Sequence, residues 1–244
     1  ALHPLPGDPL RAVHRSPQFA FGWDWAMSLV DNSVGAMNIQ QSSTKHPLQI
    51  KKLDVITDRI DSGTATGRVR WEIEGESDEK LMLRWALTNP EGQVVAAGKP
   101  KHGKGLVEVP FEIKNADLWW THDLGTPAMH TLEVVAVGQG KLMGREKIEV
   151  GLRTLRLDTS EDKRGANFKW ILNNVPLFAG GANVVPADLI LNRIRPSEEV
   201  RLVENAVAAN MNTLRVWGGG NYASDTFMNA CDEWGVLVWH DFMF

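Results

Sequence analysis

The end of the chain constrains its fold more than any other stretch. Asn212-Thr213-Leu214-Arg215-Val216-Trp217-Gly218-Gly219-Gly220 is a short hydrophobic run closing on polar, aromatic and glycine residues. After a capped helical stretch, Gly235-Val236-Leu237-Val238-Trp239-His240-Asp241-Phe242-Met243-Phe244 repeats the pattern. Two such runs about one helix apart are how consecutive parallel strands of a (β/α) barrel read, with functional groups at their C-terminal ends. A whole barrel takes about 250 residues and eight strands, whereas only the residues from Phe178 onward have this pattern. The expectation is an incomplete (β/α)8 barrel of three strands on a chain that is a piece of a longer protein.

The preceding 110 or so residues follow a different period. Val69, Trp71 and Ile73 alternate with Arg70, Glu72 and Glu74, and Leu81, Leu83, Trp85 and Leu87 alternate with Met82 and Arg84. This is the mark of half-buried antiparallel strands. Strands are predicted at 53–57, 67–74, 81–88, 94–98, 106–113, 131–137, 147–150 and 154–157, with turn residues such as Asn89-Pro90-Glu91-Gly92 between them. Seven or eight short strands in that length read as an immunoglobulin-like β-sandwich, taken as residues 49–160, with the barrel portion at 161–244. Trp119 and Trp120 read as anchors of the sandwich rather than as a sugar platform. Residues 1–48, rich in Pro and Gly and carrying Phe19-Ala20-Phe21-Gly22-Trp23-Asp24-Trp25, read as the tail of a further β-domain.

Within the last portion, Asn173-Asn174 between two apolar arms predicts a tight hairpin, because Asn tolerates the positive φ such a turn needs. The second arm is expected to run on into Gly180-Gly181-Ala182-Asn183-Val184. Ser197 is the predicted cap of a helix with Glu198 and Glu199 in its first turn, ending at Asn210. Ser224 caps a second helix, with Phe227, Met228, Cys231 and Trp234 inward and Gly235 as its stop.

Composition removes several classes of function. A net charge of −4 without a long basic run argues against a nucleic-acid partner. No apolar run approaches the roughly 18 residues of a membrane span. The lone Cys231 rules out an internal disulfide framework and reads as a small buried hydrophobe. The chain opens on Ala1-Leu2-His3 with neither an initiator Met nor a signal-peptide pattern, so its true N-terminus is expected elsewhere. The absence of an Asn-X-Ser/Thr sequon favours a bacterial source, cytoplasmic or periplasmic, over a glycosylated secretory one.

The candidate site residues follow from the strands. Arg215 and Trp217 share a face because they are two apart. An arginine there needs an acidic partner, which the sequence does not obviously supply. His240 and Asp241 stand where barrel enzymes place functional groups. The triple glycine lacks the Lys-Ser/Thr of a phosphate loop and reads as room for a bulky neighbour. The histidines are scattered in loops without a zinc pattern, so no metal and no cofactor is expected. No glutamate falls at the C-terminal end of a predicted barrel strand, and no catalytic residue is assigned.

The motifs Phe21-Gly22-Trp23-Asp24-Trp25, Gly181 to Asp188, Ala209 to Tyr222 and Cys231 to Phe244 resemble the β-mannosidases of glycoside hydrolase family 2. The resemblance implies the end of a sugar-binding jelly-roll domain at 1–48, the immunoglobulin-like sandwich, and the start of the catalytic barrel. It implies a retaining exo-glycosidase acting on terminal non-reducing β-D-mannose in an oligosaccharide or glycoside, through two glutamates about 5–5.5 Å apart that lie beyond Phe244. It places Trp23 and Asp24 at the non-reducing sugar and Trp217 at a wall of that subsite. Arg215 then corresponds to the arginine that keeps the nucleophile ionised, and Asp241 to a polar group on the pocket floor. Two departures stand out: Ala26-Met27 replace Gly-Pro, and His240 replaces Gln. A related exo-β-glucosaminidase or other family 2 glycosidase, or a non-catalytic carbohydrate-binding or structural module, are the alternatives.

Overall fold

The computed structural model describes residues 48–75, 81–100, 105–188 and 191–243. Trp23 and Asp24 lie outside them. The chain is mostly β, with two α-helices and a short 3-10 turn at Leu191–Arg193 among the described residues, and it divides into two compact units at Phe178/Ala179.

In the first unit, strands β1 (Gln49–Asp61), β2 (Thr64–Glu74) and β5 (Gly105–Ile113) form one antiparallel sheet. Strands β3 (Leu81–Thr88), β4 (Val94–Gly98), β6 (Met129–Gly138) and β7 (Lys141–Gly151) form a second, in the order β4-β3-β6-β7. The alternation seen in the sequence becomes one shared core: Val69, Trp71 and Phe111 from the first sheet meet Leu83, Trp85, Leu132 and Val134 from the second. The opposite face of β1 and β2 carries cross-strand ion pairs, Lys51 with Glu74 and Arg68 with Asp58 among them. These pairs are exposed and add little stability.

The last predicted sandwich strand lies elsewhere. β8 (Leu155–Asp158) pairs with β11 (Lys169–Leu172), which pairs in turn with β12 (Val175–Leu177) in a separate small sheet. Between them sits a two-residue ladder, β9 (Glu161–Asp162) with β10 (Gly165–Ala166). Asn173 and Asn174 take φ of 48° and 69° in the hairpin turn, as the sequence requires. Asn173 is also buried, donating from Nδ2 to the Trp119 carbonyl and accepting the Thr154 N–H, both at 2.9 Å. Trp119 itself is fully buried, with the Arg153 guanidinium 4.4 Å from its ring centroid, which gives it the anchoring role.

In the second unit, β13 (Gly181–Val184), β14 (Thr213–Val216) and β15 (Leu237–His240) are parallel, in that order. The arm after the hairpin therefore does not run on: β12 ends at Leu177 and β13 starts in another sheet. Helices α1 (Pro196–Ala208) and α2 (Asp225–Trp234) form the crossovers. Ser197 does not cap α1. Pro196, with φ preset, takes the first helical position, and Glu198 reaches back to accept the Arg195 N–H at 2.9 Å, so Arg195 is the N-cap. Ser224 does cap α2, accepting from the Phe227 N–H at 3.1 Å, and Gly235 ends it in the left-handed conformation at φ 69°. The inward stripe of α2 is Phe227, Ala230 and Cys231, at i, i+3 and i+4. Met228, one position round the helix, and Trp234, in the last turn, are partly exposed instead. Burial pushes the Cys231 thiol up to about 12, which fits a small hydrophobe.

Two histidines leave the predicted loops. His240 ends β15. His130 falls on the inward phase of β6 with Leu132 and Val134 and is fully buried, and neither ring nitrogen has a hydrogen-bond partner among the described residues. Burial lowers its pKa below 6.5 despite the opposing charges of Asp117 and Glu91, so the fold holds it neutral. A depressed histidine pKa gives stability that is complete above the unfolded value and is lost as pH falls through the folded one. His130→Met keeps an apolar side chain of similar length and removes the titration. Calorimetry from pH 8 to pH 5 is expected to show melting temperature falling less steeply in the variant; parallel curves would contradict the assignment.

Candidate functional site

The parallel sheet has two unlike faces. Val184, Leu214, Val216 and Val238 turn toward α1 and α2 and join Val203, Ala206, Phe227 and Cys231 in a hydrophobic core. Residues paired in a parallel register point the same way, and Asn183, Arg215 and Trp239 are paired across β13, β14 and β15. They form one row on the face turned away from the helices, where Trp239 is 41% exposed.

Arg215 finds the acidic partner that the sequence left open, and it is Asp241. Nη2 of Arg215 lies 2.5 Å from Oδ2 and Nε lies 3.2 Å from Oδ1, a two-point fork on the carboxylate. Nη1 donates to Asn183 Oδ1 at 3.1 Å. Sequence reasoning missed Asn183; its position one strand over at the level of Arg215 was the available signal. Three of the five guanidinium N–H groups are thus engaged, and no described residue takes the other two.

Asp241 is tied at four points, one of them its carbonyl, 2.7 Å from Nδ1 of His240. Besides the Arg215 fork, Oδ2 accepts the Gly218 N–H at 3.2 Å, and the Asp241 N–H donates to the Val216 carbonyl at 3.1 Å. Partial burial alone would raise its pKa. The hydrogen bonds from Arg215 and Gly218 and the charge of Arg215 outweigh this and hold the carboxyl below its usual value of 3.8.

Trp217 follows directly after β14, and the glycines after it make room for its ring. A Cβ at Gly219 would fall 2.2 Å from Cζ2 of the Trp217 indole, so the triple glycine lets backbone pass close to a bulky neighbour. His240 engages both ring nitrogens: Nε2 lies 3.2 Å from the Ala223 nitrogen and Nδ1 lies 2.7 Å from the Asp241 carbonyl. The Tyr222 ring stacks on it at 5.5 Å.

The structure therefore joins Arg215 and Asp241 directly and sets Trp217 at the end of the same strand. A separate cavity, lined by Val184, Pro186, Val216 and Trp217 together with the polar Glu198, Glu199 and Asn221, contains none of Asn183, Arg215 and Asp241. Among the described residues no cluster of His, Cys, Asp and Glu is placed to hold a metal ion.

The Asp241 geometry carries a sign. A depressed carboxyl pKa gives stability that is present above the unfolded value and lost as pH falls through the folded one. The loss of melting temperature in Asp241→Asn is therefore expected to be largest at neutral pH and to close below pH 3.8. A penalty of the same size at every pH would mean that the charge of Asp241 contributes nothing.

Residues 48–153 match the family described as Glycosyl hydrolases family 2. Over 98% of its length the chain is 32% identical to Beta-mannosidase B of Aspergillus niger and 30% identical to that of Aspergillus terreus, and it spans 28% of the length of each. Among solved structures, the Beta-D-Mannosidase from Dictyoglomus thermophilum is similar with a TM-score of 0.80 and 28% identity, over 94% of this chain and 28% of that one. The exo-chitosanase of Amycolatopsis orientalis, at 20% identity and a TM-score of 0.65 over 81% of this chain and 23% of its own, shares the fold. The chain belongs to glycosyl hydrolase family 2.

Proposed function

We propose that the chain is part of a retaining exo-glycosidase that hydrolyses terminal non-reducing β-D-mannose residues, a β-mannosidase. In this reading residues 1–48 are the end of a sugar-binding jelly-roll domain, 49–160 an immunoglobulin-like sandwich and 161–244 the first three strands of a (β/α)8 barrel. The observation that carries it is the Arg215 guanidinium, fixed by Asp241 and Asn183 on the open face of a parallel sheet with two N–H groups that no described residue takes. A fixed cation beside aromatic residues suits a carboxylate nucleophile and a pyranose ring. The similarity to Beta-mannosidase B along nearly the whole chain supports mannose as the sugar.

Substrate binding is assigned to Trp23, Asp24, Arg215, Trp217 and Asp241, with no metal and no cofactor. The two glutamates of a retaining mechanism fall outside the chain. The 244-residue chain alone is accordingly expected to be inactive, and the longer gene product to hydrolyse an aryl β-mannoside faster than the β-glucoside or β-glucosaminide. Turnover that co-purifies with the isolated chain would refute the placement of the glutamates. Preference for the glucosaminide would reassign the sugar, and sugar binding without turnover by the longer product would make it a carbohydrate-binding module.

Asp24 provides a second test. A carboxylate between two indoles can accept charge-assisted hydrogen bonds from sugar hydroxyls, each worth about 1.5–3 kcal/mol. Asp24→Asn in the longer protein is expected to lower kcat/KM about ten-fold or more with little change in melting temperature. A large loss of melting temperature with unaltered kcat/KM would make the residue structural.

A further inference from the structure

The segment from Gly218 to Ala223 joins β14 to the cap of α2, and it opens with three glycines. Glycine gives such a segment no intrinsic stiffness, so its shape depends on where it is tied. Apart from the Gly220 N–H, which donates locally to the Trp217 carbonyl at 3.1 Å, its ties come from the end of β15 and the residues just after it. The Asp241 carboxylate takes the Gly218 N–H at one end, and the His240 ring takes the Ala223 N–H at the other. The side chain that rides between them is Tyr222, 58% exposed, stacked on the His240 ring with an interplanar angle of 23°. Its hydroxyl also accepts the Met243 N–H at 3.4 Å.

The hydrogen bonds assign the His240 tautomer. Ala223 N–H requires an acceptor at Nε2, and the Asp241 carbonyl requires a donor at Nδ1, so the tautomer that serves both carries its proton on Nδ1. The same Asp241 whose carboxylate holds Arg215 is thereby held at its carbonyl by His240. The imidazole links the Arg215 ion pair to the loop that carries Tyr222.

We propose that His240 is a positioning residue: with Asp241 it clamps the Gly218–Ala223 loop to the end of β15 and so fixes Tyr222 as an aromatic rim of the sugar site. The clamp stands on the geometry alone, whereas the sugar rests on the β-mannosidase reading. A clamp of this kind acts on substrate binding more than on bond cleavage, because Tyr222 meets the pyranose in the ground state as well as in the transition state.

The test uses the longer protein containing this chain. His240→Phe keeps a ring to stack on Tyr222 and loses both hydrogen bonds, while His240→Gln keeps one donor and one acceptor. Amide hydrogen exchange of the peptide covering 218–223 is expected to be about ten-fold faster in His240→Phe and near wild type in His240→Gln. KM for an aryl β-mannoside is expected to rise about ten-fold in His240→Phe with kcat within about two-fold, and to recover in His240→Gln. Tyr222→Leu, which leaves the clamp intact, should raise KM without changing exchange at Ala223, and it serves where His240→Phe folds poorly. Unchanged exchange in His240→Phe overturns the clamp, as does a His240→Gln variant as impaired as the phenylalanine. Faster exchange with unchanged KM overturns the role in binding. A wild-type protein without mannosidase turnover refutes the sugar reading alone, since the exchange arm still decides the clamp.

Discussion

An arginine on the open face of a short parallel sheet has no hydrophobic place to lie, and its position depends on which groups collect its hydrogen bonds. Here they come from both neighbouring strands, Asn183 on β13 and Asp241 at the end of β15. The register decides whether they can. Arg215 pairs with Trp239, so Asp241 stands two residues further on and reaches back to the fork. Side-chain direction has a period of two in a strand, so a slip of one residue would turn Trp239 to the helices and carry Asp241 off the guanidinium. The ion pair and the strand register specify each other, and the Asp241 N–H to Val216 carbonyl bond fixes the level at which they meet.

The other face of that sheet has the opposite requirement. Leu214, Val216, Phe227, Ala230 and Cys231 exclude water between strands and helices, which anchors the strands whose far side presents polar groups. Alternation along β14 divides the labour within four residues: Leu214 and Val216 hold the sheet to its helices, and Arg215 between them is left to meet Asn183 and Asp241. The sandwich of the first unit is stabilised differently, by a core that both antiparallel sheets fill from their inner faces, with Trp119 and Asn173 tying in the segment that follows. Each unit therefore has its own apolar core.

Much of this was legible in the residues because it is local. Period-two alternation marked the strands around Val69 and Leu83, Asn173-Asn174 marked the hairpin, and Ser224 and Gly235 marked both ends of α2. What was not legible depended on partners distant in sequence. Asp241 as the carboxylate for Arg215 needs the parallel register, and Asn183 needs a third strand at the same level. The cap of α1 was misplaced because Arg195 is not a capping side chain by type; it serves through its own N–H, which Glu198 accepts. His130 falls one residue before the strand predicted at 131–137, but β6 starts at Met129 and its phase places the ring inside. Trp23 and Asp24 lie outside the described residues, so their part in the site rests on the resemblance.

The site as it stands is built to hold rather than to transfer protons. A guanidinium stays charged across the physiological range and has no proton to give. Asp241 is held ionised below the usual carboxyl range by that same guanidinium, which makes it a poor general acid, and its oxygens are already committed to Arg215 and Gly218. Both nitrogens of His240 are taken up by backbone groups. The two uncommitted N–H groups of Arg215 are a receptor for one more acceptor. A carboxylate placed there would be kept ionised by the same guanidinium that fixes Asp241. In the β-mannosidase reading proposed above, these strands would place charge while the proton and the nucleophile arrive from others.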